Sequence, residues 1–178
     1  MKLQSAPRVV HVGPFFSVER REFTNPRDAA APAIVRDIVR HPGAVAVVPV
    51  LEDGRLVLIR NHRVAVDEWL IELCAGKLER GEEPVLAAGR ELIEETGYRA
   101  DTMTALGTFF TSPGFADERM HVFEARGLHA VPQALEDGER IEVILRTPEE
   151  TMGMIESGEI KDGKTIAGLM LWWRRGLA

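Results

Sequence analysis

The sequence predicts an α/β fold, because buried strand patterns and clear helix signals occur in one chain. A continuous apolar run over 44–51 has the length of a buried strand, and Asp53-Gly54 separates it from a second apolar run over 55–60. A DG pair between two such runs is a strong β-hairpin signal. We therefore expect this hairpin at the heart of the sheet. Residues 84–96 instead show helix signals.

The composition is that of a single domain without disulfides. The chain has 178 residues, enough to bury about 70% of its unfolded surface, and its one cysteine is Cys74. A lone cysteine indicates a reducing compartment, with the cytoplasm as the default. The net charge of -6 argues against a nucleic acid partner. The sequence shows neither an export signal nor an apolar stretch long enough to span a membrane.

Residues 76–98 hold six carboxylates and the clearest helix signals. Pro84 suits the first helical position, and the two acids before it suit the positive end of a helix dipole. Gly97 suits the position just past the C-terminus. These signals predict a helix over 84–96.

Three glutamates of this helix share one surface. Glu91, Glu94 and Glu95 fall within roughly a 100° arc, which we expect to face cations. A different flank, expected to face the core, carries Val85, Leu92, Ile93 and Thr96. Like charges at this spacing repel. The attraction between Arg90 and Glu94 is expected to offset only one of these repulsions. Hard divalent cations prefer carboxylate oxygens, so a metal site is one interpretation and a solvated acidic face is the alternative.

The fixed positions of this stretch resemble the Nudix box. They are Gly76, Glu82, Arg90-Glu91-Leu92, Glu94-Glu95 and Gly97. Only Tyr98 departs slightly, since the family more often has an aliphatic residue there. The resemblance implies an α/β/α sandwich in which this loop-helix-loop lies beside a mixed β-sheet. It also implies hydrolysis of a nucleoside diphosphate linked to another group.

The same resemblance implies a Mg²⁺ site with two or three ions, with Mn²⁺ as a further possibility. The implied ligands are the carboxylates of Glu91, Glu94 and Glu95 and the backbone carbonyl of Ala75. Glu82 either joins the metal shell or fixes the box, and Arg90 orients the acids. The general base stays open between Glu118 and a box glutamate.

A second segment resembles the ADP-ribose pyrophosphatase subfamily. The run 112–118 reads Ser-Pro-Gly-Phe-Ala-Asp-Glu, and Pro113 lies sixteen residues after Gly97. Pro-Gly shapes a turn whose backbone can lie close to a ligand, so Pro113 and Gly114 are predicted substrate contacts. Glu118 could approach the metals from this loop, and an exposed loop acid is the alternative.

The segments 60–63 and 68–75 complete the predicted substrate site. Arg60-Asn61-His62-Arg63 resembles the Arg-Gln-Tyr-Arg segment of that subfamily, where arginine contacts the substrate. A planar guanidinium suits bidentate contact with phosphate, so Arg60 and Arg63 are predicted to bind substrate, with a surface arginine as the alternative. The segment 68–75 resembles the family's Trp-Glu-Leu-Pro-Ala-Gly and implies Glu72 as a further substrate residue.

Three residues near these motifs carry weaker predictions. Cys74 replaces the usual proline, and we expect a small buried filler rather than a nucleophile, since hydrolysis at phosphorus by water needs no covalent step. His62 is expected to face solvent or stack, because no second His or Cys lies at ligand spacing. Glu139 lies where related enzymes often carry an acid near the site, and a solvated turn is the alternative.

Residues 1–33 are predicted to form an N-terminal unit, followed by a Nudix domain over 34–178. Residues 8–12 and 15–23 indicate two short strands, and 24–33 a connector. In Nudix enzymes acting on ADP-ribose such a unit often crosses to a second subunit, which implies a homodimer. An edge hairpin on the same subunit is the alternative.

The remaining segments extend the α/β pattern. Residues 34–40 fit a helix or a strand, and the resemblance favours a strand. Further strands are predicted at 103–110, 120–124 and 141–146, and helices over 148–157 and from about Lys164. In the last helix Ile166, Leu169, Met170 and Trp173 are expected to contact the core or a dimer partner.

The leading functional hypothesis is Mg²⁺-dependent hydrolysis of ADP-ribose to AMP and ribose 5-phosphate. One alternative is a pyrophosphatase for another nucleotide sugar such as GDP-mannose, which would share the box. The other is a non-catalytic Nudix domain that senses ADP-ribose, which would be expected to have lost box acids.

Overall fold

The computed structural model describes residues 2–135, 138 and 140–176, which form two compact units. The first unit extends to Gly43 and includes Phe110–Arg119, and the second comprises Ala44–Phe109 and the residues from Met120 onward. Within the described ranges, no helix is both long and apolar enough to cross a membrane.

Within the described residues, ten strands and three helices follow one another along the chain. The strands are β1 (Arg8–Val12), β2 (Ser17–Phe23), β3 (Ile34–Arg40), β4 (Ala44–Pro49), β5 (Leu56–Arg63), β6 (Glu68–Glu72), β7 (Cys74–Lys77), β8 (Tyr98–Phe110), β9 (Arg119–Ala130) and β10 (Ile141–Arg146). The helices are α1 (Pro84–Thr96), α2 (Pro148–Glu156) and α3 (Gly163–Gly176).

The first unit is built on an antiparallel sheet in the order β1-β2-β3. The segment 110–119 runs beside β3, where the Val39 N–H donates to the Phe115 carbonyl at 2.8 Å and the Asp117 N–H donates to the Val39 carbonyl at 3.1 Å. Residues 34–40 are therefore a strand, as predicted. The observed β2 begins at Ser17, two residues later than predicted.

The second unit contains two sheets. One has the order β7-β4-β9-β8 and is mixed, since β4 runs parallel to β9 and antiparallel to β7. The other has the order β10-β5-β6 and is antiparallel. Both β8 and β9 are longer than the predicted strands at 103–110 and 120–124.

Helices cover opposite faces of the mixed sheet. Alternate side chains of a strand point to opposite faces. On β4, Val45 and Val47 pack in one buried cluster with Leu92 of α1, whereas Ala46 and Val48 pack in another with Leu169 of α3. This arrangement confirms the predicted α/β/α sandwich.

The predicted hairpin at Asp53-Gly54 is only partly correct. The turn forms, as the hydrogen bond from the Leu51 N–H to the Arg55 carbonyl at 2.9 Å shows. The strands then separate into the two sheets, β4 pairing with β7 and β9 while β5 pairs with β6 and β10. The expectation of one central hairpin sheet was wrong, because both edges of β4 are already paired.

Candidate active site

Helix α1 forms where its local signals place it, over Pro84–Thr96. Proline occupies the start, where a missing N–H costs no hydrogen bond. Gly97 ends the helix with a left-handed φ of 68°, and its N–H donates to the Ile93 carbonyl. The box helix is therefore fixed by its own sequence.

The expected separation between an acidic and a core flank of α1 is only partly correct, since Leu92 and Thr96 are buried as predicted. Glu91 and Glu95 are buried, with 9% and 3% of their surfaces exposed, while Val85 is 43% exposed. The buried side of the helix also contains Leu92. Two of the three clustered acids thus lie on the side of α1 that packs against the protein.

These buried acids meet the backbone of β7. The Ala75 N–H donates to Oε2 of Glu95 at 2.8 Å. The next residue, Gly76, lies so close to Glu91 that a Cβ at this position would collide with the carboxylate. Glycine is needed at position 76 because a backbone without a side chain leaves room for the acid. The helix acids and the strand therefore form one site.

Arg90 contacts three box glutamates, so the expectation that it offsets only Glu94 was incomplete. Its Nη1 lies 2.7 Å from Glu91 Oε1 and 2.9 Å from Glu94 Oε2, and its Nε lies 3.1 Å from Glu82 Oε1. Hydrogen bonds from Arg90 lower the pKa of Glu82. One guanidinium thus orients three carboxylates.

The donor set fits a hard divalent cation. Glu82, Glu91, Glu94 and Glu95 contribute four formal negative charges against the single positive charge of Arg90, and all their donor atoms are oxygens. In the described part of the chain no three His, Cys, Asp or Glu side chains already converge as cation ligands. The guanidinium of Arg90 lies among Glu82, Glu91 and Glu94.

The predicted substrate residue Glu72 is fully buried in an ion-pair network. Arg63 binds it through Nε at 2.7 Å and Nη2 at 2.6 Å, and Lys164 of α3 also donates to it. Lys164 lies 3.0 Å from Asp162 as well. The hydrogen bonds that Arg63 donates to Glu72 raise the pKa of Arg63. The network joins β5, β6 and the start of α3.

The predicted substrate residue Arg60 is exposed on β5. Its guanidinium lies 5.2 Å from the ring centre of Trp69, a cation–π distance. His62 packs edge-on against the same ring, with 5.4 Å between ring centres. His62 is thus a stacking residue, one of the two roles predicted for it.

The loop that carries Pro113, Gly114 and Glu118 belongs to the first unit. Glu118 accepts a hydrogen bond from Thr111 Oγ1 at 2.6 Å, and its Oε1 lies 3.6 Å from His41 Nδ1. Within this unit the loop is held to β3. Glu139 lies outside the described residues.

Comparison with known proteins identifies the family. Residues 40–169 match the family model described as the NUDIX domain. The chain belongs to the NUDIX family. It is 46% identical over 132 residues to an ADP-ribose pyrophosphatase of Bacillus subtilis, covering 73% of this chain and 71% of that protein.

Other Nudix relatives carry different names. The chain is 43% identical over 133 residues to a methanol dehydrogenase activator of Bacillus methanolicus, covering 74% and 72% of the two chains. It is 35% identical over 159 residues to a GDP-mannose pyrophosphatase of Cronobacter sakazakii, covering 79% and 82%. The crystal structure of an ADP compounds hydrolase shares the fold, with a TM-score of 0.81 at 23% identity over 100% of this chain and 97% of that one.

Cys74, where this Nudix chain departs from the family pattern, is a core residue. Cys74 is fully buried in a cluster with Val47 and Leu92. Burial, followed by the charges of Glu95 and Glu91, raises the pKa of its thiol well above the usual value. The thiol therefore stays protonated and inert, which confirms the prediction of a buried filler.

Two residues of α3 that bond to the strands of this Nudix site were not predicted from the sequence. Thr165 Oγ1 accepts a hydrogen bond from the Leu73 N–H at 2.9 Å, just before β7. Lys164 binds Glu72 from 92 positions away. No local pattern links these positions, and the only sequence signal was the start of a helix near Lys164.

Proposed function

We propose that this Nudix protein is a Mg²⁺-dependent pyrophosphatase that hydrolyses the diphosphate of ADP-ribose to AMP and ribose 5-phosphate. The best support for this proposal is the contact of Glu91 and Glu95 with the Ala75-Gly76 backbone of β7. The 46% identity to a protein named ADP-ribose pyrophosphatase supports the choice of substrate.

In this proposal Glu91, Glu94, Glu95 and the Ala75 carbonyl hold two or three Mg²⁺ ions, with Glu82 at the edge of the site. A bound divalent cation neutralises the charge of the diphosphate and acidifies a water molecule. Arg90 keeps the carboxylates oriented through its bonds to Glu82, Glu91 and Glu94. Mn²⁺ has the same oxygen preference and is a possible substitute.

Arg63 and Arg60 are proposed to bind the anionic substrate. The bonds from Arg63 to Glu72 use two of the five N–H donors of its guanidinium and fix the plane of the group. Its side chain is 40% exposed, so the remaining donors are available for a phosphate oxygen. Glu72 then acts as the buried anchor of Arg63 within the substrate site. Pro113 and Gly114 are proposed further contacts.

Glu118 is our proposed general base, with a box glutamate as the alternative. The side chain of Glu118 is 28% exposed, and Thr111 and His41 orient it within its own unit. A carboxylate in this setting can accept the proton that an attacking water loses.

We further propose a cytoplasmic homodimer in which residues 1–33 contribute to the subunit contact. The first unit exposes apolar side chains that a monomer would leave in water, namely Val9, Val12, Phe15, Phe16 and Val35. A second copy of the same sheet would cover them. The single reduced cysteine is consistent with the cytoplasm.

Hydrolysis of GDP-mannose is the second candidate, favoured by the 35% identity to a GDP-mannose pyrophosphatase. Purified protein with Mg²⁺ should be incubated with ADP-ribose, GDP-mannose, NADH and diadenosine compounds. We expect ADP-ribose to be cleaved fastest, with AMP and ribose 5-phosphate as products. Faster cleavage of GDP-mannose would favour the second candidate, and binding of ADP-ribose without cleavage would favour a sensing domain.

A further inference from the structure

A cavity of about 370 Å³ lies between β9 and the end of α3. Its walls are Glu124, Arg126, Trp172, Trp173, Arg175 and Gly176. The volume is in the range of pockets that bury most of the surface of a small ligand. The proposed catalytic role uses none of these residues.

The cavity and the Nudix box lie on opposite faces of the mixed sheet. Glu124 accepts a hydrogen bond from Trp172 on the α3 side of β9, while Ala125, next along the strand, packs in the cluster that contains Leu92 of α1. Since neighbouring strand residues point to opposite faces, the cavity is separate from the acids of α1.

Two indole rings form the aromatic part of the cavity. The ring centres of Trp172 and Trp173 are 6.3 Å apart, and the ring planes meet at 64°. Trp172 is fixed, because its Nε1 donates to Glu124 Oε1 at 2.8 Å and its ring packs against the core. The rings therefore make a corner against which a planar group can stack.

The polar part of the cavity has a net positive charge. Although burial raises the pKa of Glu124, hydrogen bonds from Arg126 and Trp172 lower it below its usual value, so this carboxylate is ionised. Arg126 Nη2 lies 2.8 Å from Glu124 Oε1, so this guanidinium compensates the charge of Glu124. Arg175 donates to the neutral carbonyl of Ala105 at 3.3 Å. Two guanidiniums against one carboxylate leave one positive charge.

We propose that this cavity is a second ligand site, for a planar aromatic group that carries a phosphate, of the size of a nucleoside monophosphate. The base stacks in the corner formed by Trp172 and Trp173, and the phosphate pairs with Arg175 at the rim. Bases of any type stack on indole rings, and a guanidinium fork matches a phosphate. A single-ring acid would leave much of the space unfilled and lose packing contacts.

Tryptophan fluorescence can test this site directly. In a Trp69→Phe background the remaining emission comes from Trp172 and Trp173. The probe is AMP, titrated in the presence of EDTA, with adenosine, inorganic phosphate and benzoate in separate titrations. We expect saturable quenching by AMP, with each of the other three compounds binding at least about tenfold more weakly.

Matched variants identify where the AMP binds. Trp173→Leu and Arg175→Gln should each weaken AMP binding roughly tenfold, because each removes one recognition element. Arg174→Gln is the control, an exposed arginine one position away that does not line the cavity. Glu91→Gln should leave the quenching intact. Thermal unfolding of each variant checks that it is folded.

Several results would overturn the proposal. These are no saturable quenching by AMP, equal or tighter binding of phosphate or benzoate, and loss of quenching in Glu91→Gln but not in Arg175→Gln. A change of emission with protein concentration alone would mean that a second copy covers the cavity, and would also overturn it. The proposal does not rest on the catalytic one, since the box variant keeps this site.

Discussion

The Ala75 N–H donates a hydrogen bond to the Glu95 carboxylate, with 2.8 Å between N and Oε2. This bond joins the edge strand β7 to the last turn of α1, across 20 positions in the sequence. It places the carbonyl-bearing backbone of β7 beside the glutamates of the helix.

Gly76→Ala should weaken metal binding with little loss of stability. The new Cβ would collide with the Glu91 carboxylate, which is the end of a flexible side chain and can move away. The fold then persists while a ligand leaves its position. Calorimetric titration with Mn²⁺ should show at least tenfold weaker binding, as expected for loss of ligand orientation.

Gly89→Ala is the matched control for Gly76→Ala. Gly89 lies within α1, and a Cβ there would meet nothing within 4 Å. We expect unchanged metal binding and a gain of up to about 1 kcal/mol in unfolding free energy, since alanine favours a helix. Equal metal affinities of the two variants would contradict the role given to Gly76.

Arg90→Met should destabilise the metal-free protein by about 1–3 kcal/mol, because Arg90 makes charge-assisted bonds to three glutamates. Mg²⁺ should then raise the melting temperature of the variant more than that of the wild type, since the cation replaces the missing positive charge. Melting curves in EDTA and in Mg²⁺ measure both effects. An equal Mg²⁺ shift in the two proteins would rule out this charge balance.

Lys164→Met should cost about 2–4 kcal/mol of unfolding free energy. Lys164 pairs with the fully buried Glu72, and removing one partner leaves a buried charge less compensated. Lys161→Met is the control, because the pair of Lys161 with Glu68 is more than half exposed on the lysine side and should contribute at most about 1 kcal/mol. Urea unfolding compares them, and equal costs would argue against a structural role for the Glu72 network.

Glu19 should titrate far below an ordinary glutamate. Hydrogen bonds from Arg40 and then Arg21 lower its pKa from 4.5 to about 2. Because the folded-state pKa is the lower one, this contribution to stability is present above about pH 4.5 and is lost as the pH falls toward 2. NMR titration of the side-chain carboxyl measures the pKa directly, and Arg40→Met should raise it. A wild-type midpoint near 4.5 would disprove the assignment.

The sequence was sufficient where local chemistry decides the structure. Pro84 and Gly97 bound α1 as predicted, and the predicted helix over 148–157 forms as α2, where Thr147 and Glu150 make a capping box. The acids of the Nudix box were also identified from sequence. Local residues supplied these answers because helix ends depend on their own neighbours.

The pairing of strands and side chains that are distant in the sequence could not be predicted in the same way. The turn at Asp53-Gly54 was predicted, yet the pairing of β4 with the distant β9 sends β5 into another sheet. Likewise, nothing near Glu72 in the sequence indicates its bond to Lys164. The contact of Arg90 with Glu82 depends on how the loop before α1 folds back onto the helix, a geometry that periodicity does not specify.

The most direct test of the account is ADP-ribose turnover as a function of Mg²⁺ concentration, for the wild type and for Glu91→Gln, with AMP quantified by chromatography. We expect Mg²⁺-dependent release of AMP by the wild type and a loss of several orders of magnitude in the variant, even in excess Mg²⁺. Near-normal turnover by Glu91→Gln would contradict it.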